Sequence, residues 1–279
     1  MIPAFFVPTF TDKFHLFNEY FIVIYSVSDN LLSKKIKQII MKQGIQFFAA
    51  IIFILATSTS CIFMEPSIKG NGKVVTEIRE TGSFDEIEVS RGVNVYLTQG
   101  ADRKVEIKAD KNLLDAIEIK VEDDVLKIYS TKRIRKATSF KVFVTNPDFS
   151  KISSTSGSNV FSESMIKSEN LVLSSTSGSN MKIDVETDKL TAKVSSGANI
   201  KLRGKTEMFQ GKATSGANLM GEKFIANNSI VEASSGANLW ITTTTDFEGR
   251  AGSGGNVFYF GDPKIINTKE SSGGNVIKK

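Results

Sequence analysis

From residue 151 onward, apolar residues keep fixed distances from a recurring glycine. Three residues after each glycine stands Val160, Met181, Ile200, Leu219, Leu239, Val257 or Val276. Three residues before it the chain is small at Ser154, Ser175, Val194, Ala213, Ala233 and Ala251, with Glu270 the exception. A second apolar position falls midway, at Leu171, Leu190, Phe209, Ile230, Phe247 and Ile266. Successive glycines are 21, 19, 19, 20, 18 and 19 residues apart. A period this regular predicts stacked repeats, each covering the apolar face of the next. Short alternating runs such as Met181-Lys182-Ile183-Asp184-Val185 and Leu190-Thr191-Ala192-Lys193-Val194 read as strands, and no sustained 3.6-residue period supports helix. The expectation is an all-β fold, a β-helix or solenoid of coils of about 19 residues. Adjacent coils should lie ~4.8 Å apart, which makes the seven-coil section on the order of 30 Å long.

Each period carries the phrase Ser-Gly-x-Asn. It pairs Gly157 with Asn159, Gly178 with Asn180, Gly197 with Asn199, Gly216 with Asn218, Gly236 with Asn238, Gly254 with Asn256 and Gly273 with Asn275. A coil corner requires a residue at positive φ. Glycine adopts it freely, and asparagine is enriched among the others that do. Stacked asparagines can also bond along the axis as a ladder. These fourteen residues are therefore expected to be structural corners. A binding role for an exposed Ser/Asn ridge is the functional alternative. No carboxylate occurs inside any phrase, which separates it from the calcium-binding nonapeptide repeat.

Between Val74 and Asn146 the alternation continues without the strict period. It is clear in Val93–Leu97, Val105–Ile107, Ile117–Val121, Leu126–Tyr129 and Phe140–Val144. Turn signals at Gln99–Asp102, Asp123-Asp124 and Asn146–Asp148 predict strands joined in part as hairpins. Asn112–Asp115 reads as a short helical turn. A stacked array needs its open end covered, and residues 74–150 are expected to be an N-terminal cap ahead of a solenoid over 151–279. Arg91-Gly92-Val93-Asn94-Val95 is a degenerate copy of the phrase, which weakens a border at residue 150.

Residues 41–60 have a basic start, an apolar run from Ile45 to Ala56 and a small-residue stretch, the pattern of a secretion signal. The run is short for a membrane span. It ends at Cys61, the only cysteine. Small residues directly before a single cysteine resemble a bacterial lipoprotein signal, which makes Cys61 the expected lipidation site. The alternative is a buried or free thiol after ordinary signal cleavage. Residues 61–73 then form a linker, and residues 1–40 read as an over-extended N-terminus ahead of a natural start at Met41. No acidic cluster follows Cys61, which favours the periplasmic face of the outer membrane over the cell surface.

Composition narrows the chemistry. The first 60 residues hold five Lys and three acidic residues, leaving 30 basic and 27 acidic beyond them. This mild excess accompanies no nucleic-acid motif. The cluster Lys132-Arg133-Ile134-Arg135-Lys136 is expected to be a solvated loop, with contact to anionic glycan or lipid headgroups as its alternative. The only histidine, His15, precedes the signal. Ser-His-Asp, Cys-His and His/Cys zinc chemistry are therefore not expected, nor is any cofactor. One enzymatic reading survives. Glu163, Asp184 and Arg203 share the sixth position after their glycines, and Asp188 and Glu207 share the tenth. Stacked carboxylates of this kind serve glycoside hydrolysis when ~5 Å apart.

Phe84-Asp85-Glu86-Ile87-Glu88-Val89, then Gly92-Val93-Asn94-Val95 and Asn112-Leu113-Leu114, resemble the opening of the head GIN domain, a family of adhesins described as auto-transporters and common in Bacteroidetes. The likeness covers residues 74–277. It implies a β-helical body and an envelope location, and it carries no catalytic residues to transfer. The family often places a second glycine where this chain has Asn. The expected function is a non-catalytic envelope lipoprotein that binds glycan or another surface. The alternatives are a periplasmic structural or sensing protein that binds envelope proteins, and a β-helix carbohydrate-active enzyme. Self-association into a homo-oligomer is left open.

Overall fold

The computed structural model describes residues 67–279. Residues 1–40, the expected signal segment at 41–60 and Cys61 lie outside the described residues. Nineteen strands follow in chain order. The first nine are β1 (Ser67–Lys69), β2 (Val74–Arg79), β3 (Glu86–Ser90), β4 (Asn94–Gln99), β5 (Lys104–Asp110), β6 (Ile117–Glu122), β7 (Val125–Ser130), β8 (Arg133–Lys136) and β9 (Phe140–Asn146). A 3-10 helix, Lys111–Ala116, separates β5 from β6 and buries Leu113 and Ala116. The repeat region contributes β10 (Lys151–Ser154), β11 (Asn159–Ser162), β12 (Ile166–Ser175), β13 (Asn180–Val194), β14 (Asn199–Ala213), β15 (Asn218–Ala233), β16 (Asn238–Ala251), β17 (Asn256–Phe260), β18 (Ile265–Glu270) and β19 (Asn275–Lys278).

The fold is an all-β solenoid. Each coil pairs in parallel with the next at matching repeat positions, as in Asn180↔Asn199, Met181↔Ile200 and Leu190↔Phe209. The two runs expected inside one period join into one long strand, and the side chains change phase partway. In β13 residues 181, 183, 185 and 187 point inward, 188 and 189 both face out, and 190, 192 and 194 point inward again. Two successive outward residues mark a bend, so the 2-residue period of a strand covers two faces of one coil. Thr187 and Thr206 close this bend. Each Oγ1 donates to a carbonyl two residues ahead and to one in the preceding coil, Lys189 and Glu169 for Thr187 and Met208 and Asp188 for Thr206.

The column three residues after each glycine is buried from Val160 to Val257. The mid-period column departs from expectation twice. Ile230 is 42% exposed, because Phe209 pairs with Ser229 instead. β15 belongs to a 20-residue coil, and its register slips where Gly221 and Glu222 together face Leu202. Phe224, fully buried, swings in from this bulge and meets Phe209 edge-on at 5.5 Å. It supplies the volume that Ser229 lacks. Ile266 does pair with Phe247, but it is 45% exposed because no coil of the described residues follows it.

The region before residue 150 continues the same ladder. β10 and β11 pair in parallel with β3 and β4, and these pair in turn with β7 and β9. The coil β3–β4 is thus inserted between β7–β9 and the first repeat. Beyond β7 and β9 the pairing turns antiparallel: β6 covers β7, and β5 then β2 extend from β9. This antiparallel layer closes the N-terminal end. Of the expected hairpins, β6–β7 is one, turning at Asp123-Asp124 with both φ positive. β4 and β5 are not paired, because β9 lies between them. Lys132–Lys136 is not a loop. Arg133–Lys136 is strand β8, paired in parallel with β1.

Candidate functional site

Three features reach the surface in register with the repeat: the turns, the asparagine column and the sheet face beside it. In each phrase the residue before the glycine and the glycine both have positive φ, as at Ser156 (53°) and Gly157 (70°), and the following N–H donates back, Ser158 to Thr155 at 3.2 Å. Positive φ at both central residues defines a type I′ turn. The left-handed conformation therefore sits on Ser and Gly, and Asn159 opens the next strand. This corrects the assignment of positive φ to the asparagines. Arg91 and Gly92 hold the same conformation in the degenerate copy. Consecutive turns are tied together: Gly157 N–H donates to Ser177 O at 3.1 Å and Gly178 N–H to Ser196 O at 3.1 Å. These bonds hold serine where it would not settle alone. The exposed ridge is thus Ser and Gly, while the next residue (Ser158, Ser179, Ala198) is buried.

The asparagines form one continuous ladder. Nδ2 of Asn275 donates to Oδ1 of Asn256, and the chain runs on through Asn238, Asn218, Asn199, Asn180 and Asn159 to Asn94, each step 2.8–3.1 Å. Asn94 Nδ2 ends it on the Phe140 carbonyl at 3.3 Å. One step further along the same outward face, four residues after each glycine, aromatics collect at both ends. Tyr96 stacks on Phe143 at 5.0 Å and contacts Phe161 at 5.3 Å. Trp240 stacks on Phe258 at 5.2 Å. Lys141 and Lys279 sit over Tyr96 and Phe258, each at 5.3 Å. This column is not among the positions expected from the repeat; its signal in the sequence is the fixed offset from the glycine. Because the rings stack on one another, their faces are largely spent on neighbouring coils, and the column serves the solenoid first.

The charged residues weighed for catalysis are only partly brought together. Asp184 and Arg203 are register partners, and Asp184 Oδ1 and Arg203 Nε are buried with no hydrogen-bond partner. Glu163 lies beyond the end of β11 and is exposed. Asp188 and Glu207 sit exposed at the bend, where the latter takes a hydrogen bond from Asn227 at 2.6 Å. No cluster of three metal-ligating side chains occurs among the described residues. A shallow depression of about 410 Å³ opens between Phe84, Arg103 and Asn146, but Arg103 is already held by Asn146 Oδ1 at 3.0 Å.

At the closed end Asp110 is fully buried. Its carboxylate accepts N–H bonds from Gly72, Thr138 and Ser139, each 3.2 Å. Burial alone would push this carboxyl up, but the donated N–H groups outweigh it and hold it below the usual aspartate range. Exposed Glu122 is pushed down to about 2 by hydrogen bonds from Lys120 and Lys127.

The chain's likeness to known proteins follows this architecture. Residues 83–263 match the family described as "Putative auto-transporter adhesin, head GIN domain". Among solved structures, a putative adhesin from Bacteroides fragilis superposes with a TM-score of 0.71 at 20% identity, covering 76% of this chain and 100% of its own. A putative adhesin from Parabacteroides distasonis gives 0.65 at 18%, covering 77% and 100%. A protein described as a putative lipid binding protein, from the same species, gives 0.62 at 17%, covering 77% and 100%. No curated protein matches. At these identities the solved structures establish a shared fold, and the family match spans well over half of the sequence. The family match over residues 83–263 therefore identifies this chain as a member of the head GIN domain family.

Proposed function

We propose that the chain is a non-catalytic envelope lipoprotein, held by a lipid on Cys61, whose solenoid binds glycan or another surface component. The observation that carries this reading is the unbroken parallel ladder from β7 and β9 to β19. It presents repeated polar turns along one edge. Membership in an adhesin family supports the binding role, and the signal-like segment before Cys61 supports the anchor. The same two points support an outer-membrane location, toward the periplasm or the surface.

The test is a glycan array and a cell-attachment assay with protein lacking residues 1–61, together with protease shaving of intact cells. Saturable glycan binding and shaving at the surface are the expected results. Negative binding with recovery of a single crosslinked envelope protein would replace this reading with the structural or sensing one. The unpartnered Asp184–Arg203 pair gives the enzymatic reading one specific handle. Reducing-end release from a polysaccharide panel that disappears in Asp184→Asn would overturn the non-catalytic assignment.

A further inference from the structure

Among the described residues, β1 and β8 are the only strands outside the main sheet. The ribbon they form emerges from the terminal coil, between β7 and β9. Its apolar pair, Ile68 and Ile134, stand opposite each other and pack against the core. Strand alternation then turns Arg133 and Arg135 outward, and both are exposed, as are Lys69, Lys132 and Lys136. Residues 66–76 and 125–147 contain no Asp or Glu at all. Nearby Asp110 is buried and committed to backbone N–H groups. Nine ion pairs form among the described residues, and none includes these five cations. Exposed Asp115 and half-buried Glu118 are other nearby acids by sequence and pairing, and neither forms an ion pair with these cations. The ribbon thus presents a cationic face that no ion pair among the described residues neutralises.

We propose that this face docks on anionic phospholipid headgroups of the membrane that holds the anchor. The proposal rests on the lipidated Cys61 of the preceding reading for its geometry. Five residues lie between Cys61 and Ser67, a reach of at most about 20 Å. An anchor there keeps the ribbon within one short tether of the headgroups. Attraction between basic side chains and an anionic bilayer is additive over the cations that reach the surface. Asp110 and the apolar pair supply rigidity, so docking fixes the closed end of the solenoid against the bilayer instead of leaving it on a loose leash.

The test uses the full chain carrying Cys61→Ser, which removes lipidation and leaves the ribbon. Its co-sedimentation is compared between phosphatidylcholine vesicles and vesicles that also contain phosphatidylglycerol. The apolar segment before residue 61 adds to both alike, so the ratio is the readout. Preference for phosphatidylglycerol that falls with added salt is expected. The triple variant Arg133→Gln, Arg135→Gln, Lys136→Gln should lose about a hundredfold, at about fivefold per cation. The double variant Arg133→Lys, Arg135→Lys keeps charge and should keep the preference, and this arm holds even if the triple variant folds poorly. No preference in the parent, equal partitioning of the triple variant, or loss in the lysine variant would overturn the proposal. So would retention on an anionic polysaccharide without any vesicle preference. Mass analysis of the Cys61 peptide from membrane-extracted wild type tests the anchor separately: an unmodified Cys61 with an intact vesicle preference fails the anchor and leaves the ribbon standing.

Discussion

Gly204 adopts φ +111°, and a Cβ there would lie 1.9 Å from the Val185 carbonyl oxygen of the coil before it. Neither the backbone angle nor the space admits a side chain. Gly204→Ala should cost about 3 kcal/mol in urea unfolding, whereas alanine at exposed Gly157 meets no atom within 4 Å and should cost only its φ strain. Asp110 makes the stability of the fold depend on pH. Its folded pKa is depressed, so the stability it contributes is present above the unfolded aspartate value and is lost as pH falls through the lower folded value. Asp110→Asn should flatten the acid limb of a melting-temperature profile below about pH 4. It should also speed hydrogen exchange in β1 and β8 before the main body. The corner residues were readable because Ser-Gly-x-Asn repeats without exception. Which of them takes positive φ was not, since serine at that angle is held by the turn above it, a contact between coils that no local propensity encodes. Asp110 was invisible for the same reason, as its donors come from residues 72, 138 and 139.

At the scale of the element, β15 shows how the period tolerates error. Its extra residues are pushed outward as Glu222, Lys223 and Ile225, and Phe224 turns in to fill the core. Phe224→Ala should therefore cost about 3–5 kcal/mol, while Ile230→Ala should be close to neutral despite Ile230 looking like the column residue. Guanidinium melts of the two variants would separate them. The repeat spacing made strands, corners and most of the core legible. Ile230 misled because a count from the glycine cannot see a bulge. The β8 strand was hidden by its charge, and it forms because β1 offers a partner across more than sixty residues of sequence. Hairpin signals were right at Asp123-Asp124 and failed at Gln99–Asp102, where a distant strand, β9, outcompetes the neighbour.

For the whole molecule, nearest-neighbour coil contacts predict nearly modular stability. Deleting residues 178–196 joins Ser177 to Gly197 and leaves one complete Ser-Gly-x-Asn phrase at the junction. The shortened chain should fold and show a urea m-value lower by about a tenth; loss of cooperative folding would show that the coils are not interchangeable. The two ends differ. The N-terminal end is sealed by antiparallel strands, while in β18 and β19 Ile265, Ile266 and Ile277 are exposed. The asparagine ladder adds a second difference. All of its amides donate toward the N-terminal end, so their dipoles add instead of cancelling as backbone dipoles do in a sheet. Partial positive charge gathers near Asn94 and partial negative charge near Asn275, whose Oδ1 accepts from no residue described. The ladder is thereby a line of aligned dipoles with a fixed pole at each of its ends, and two such ladders lying side by side would lower their energy by pointing in opposite directions.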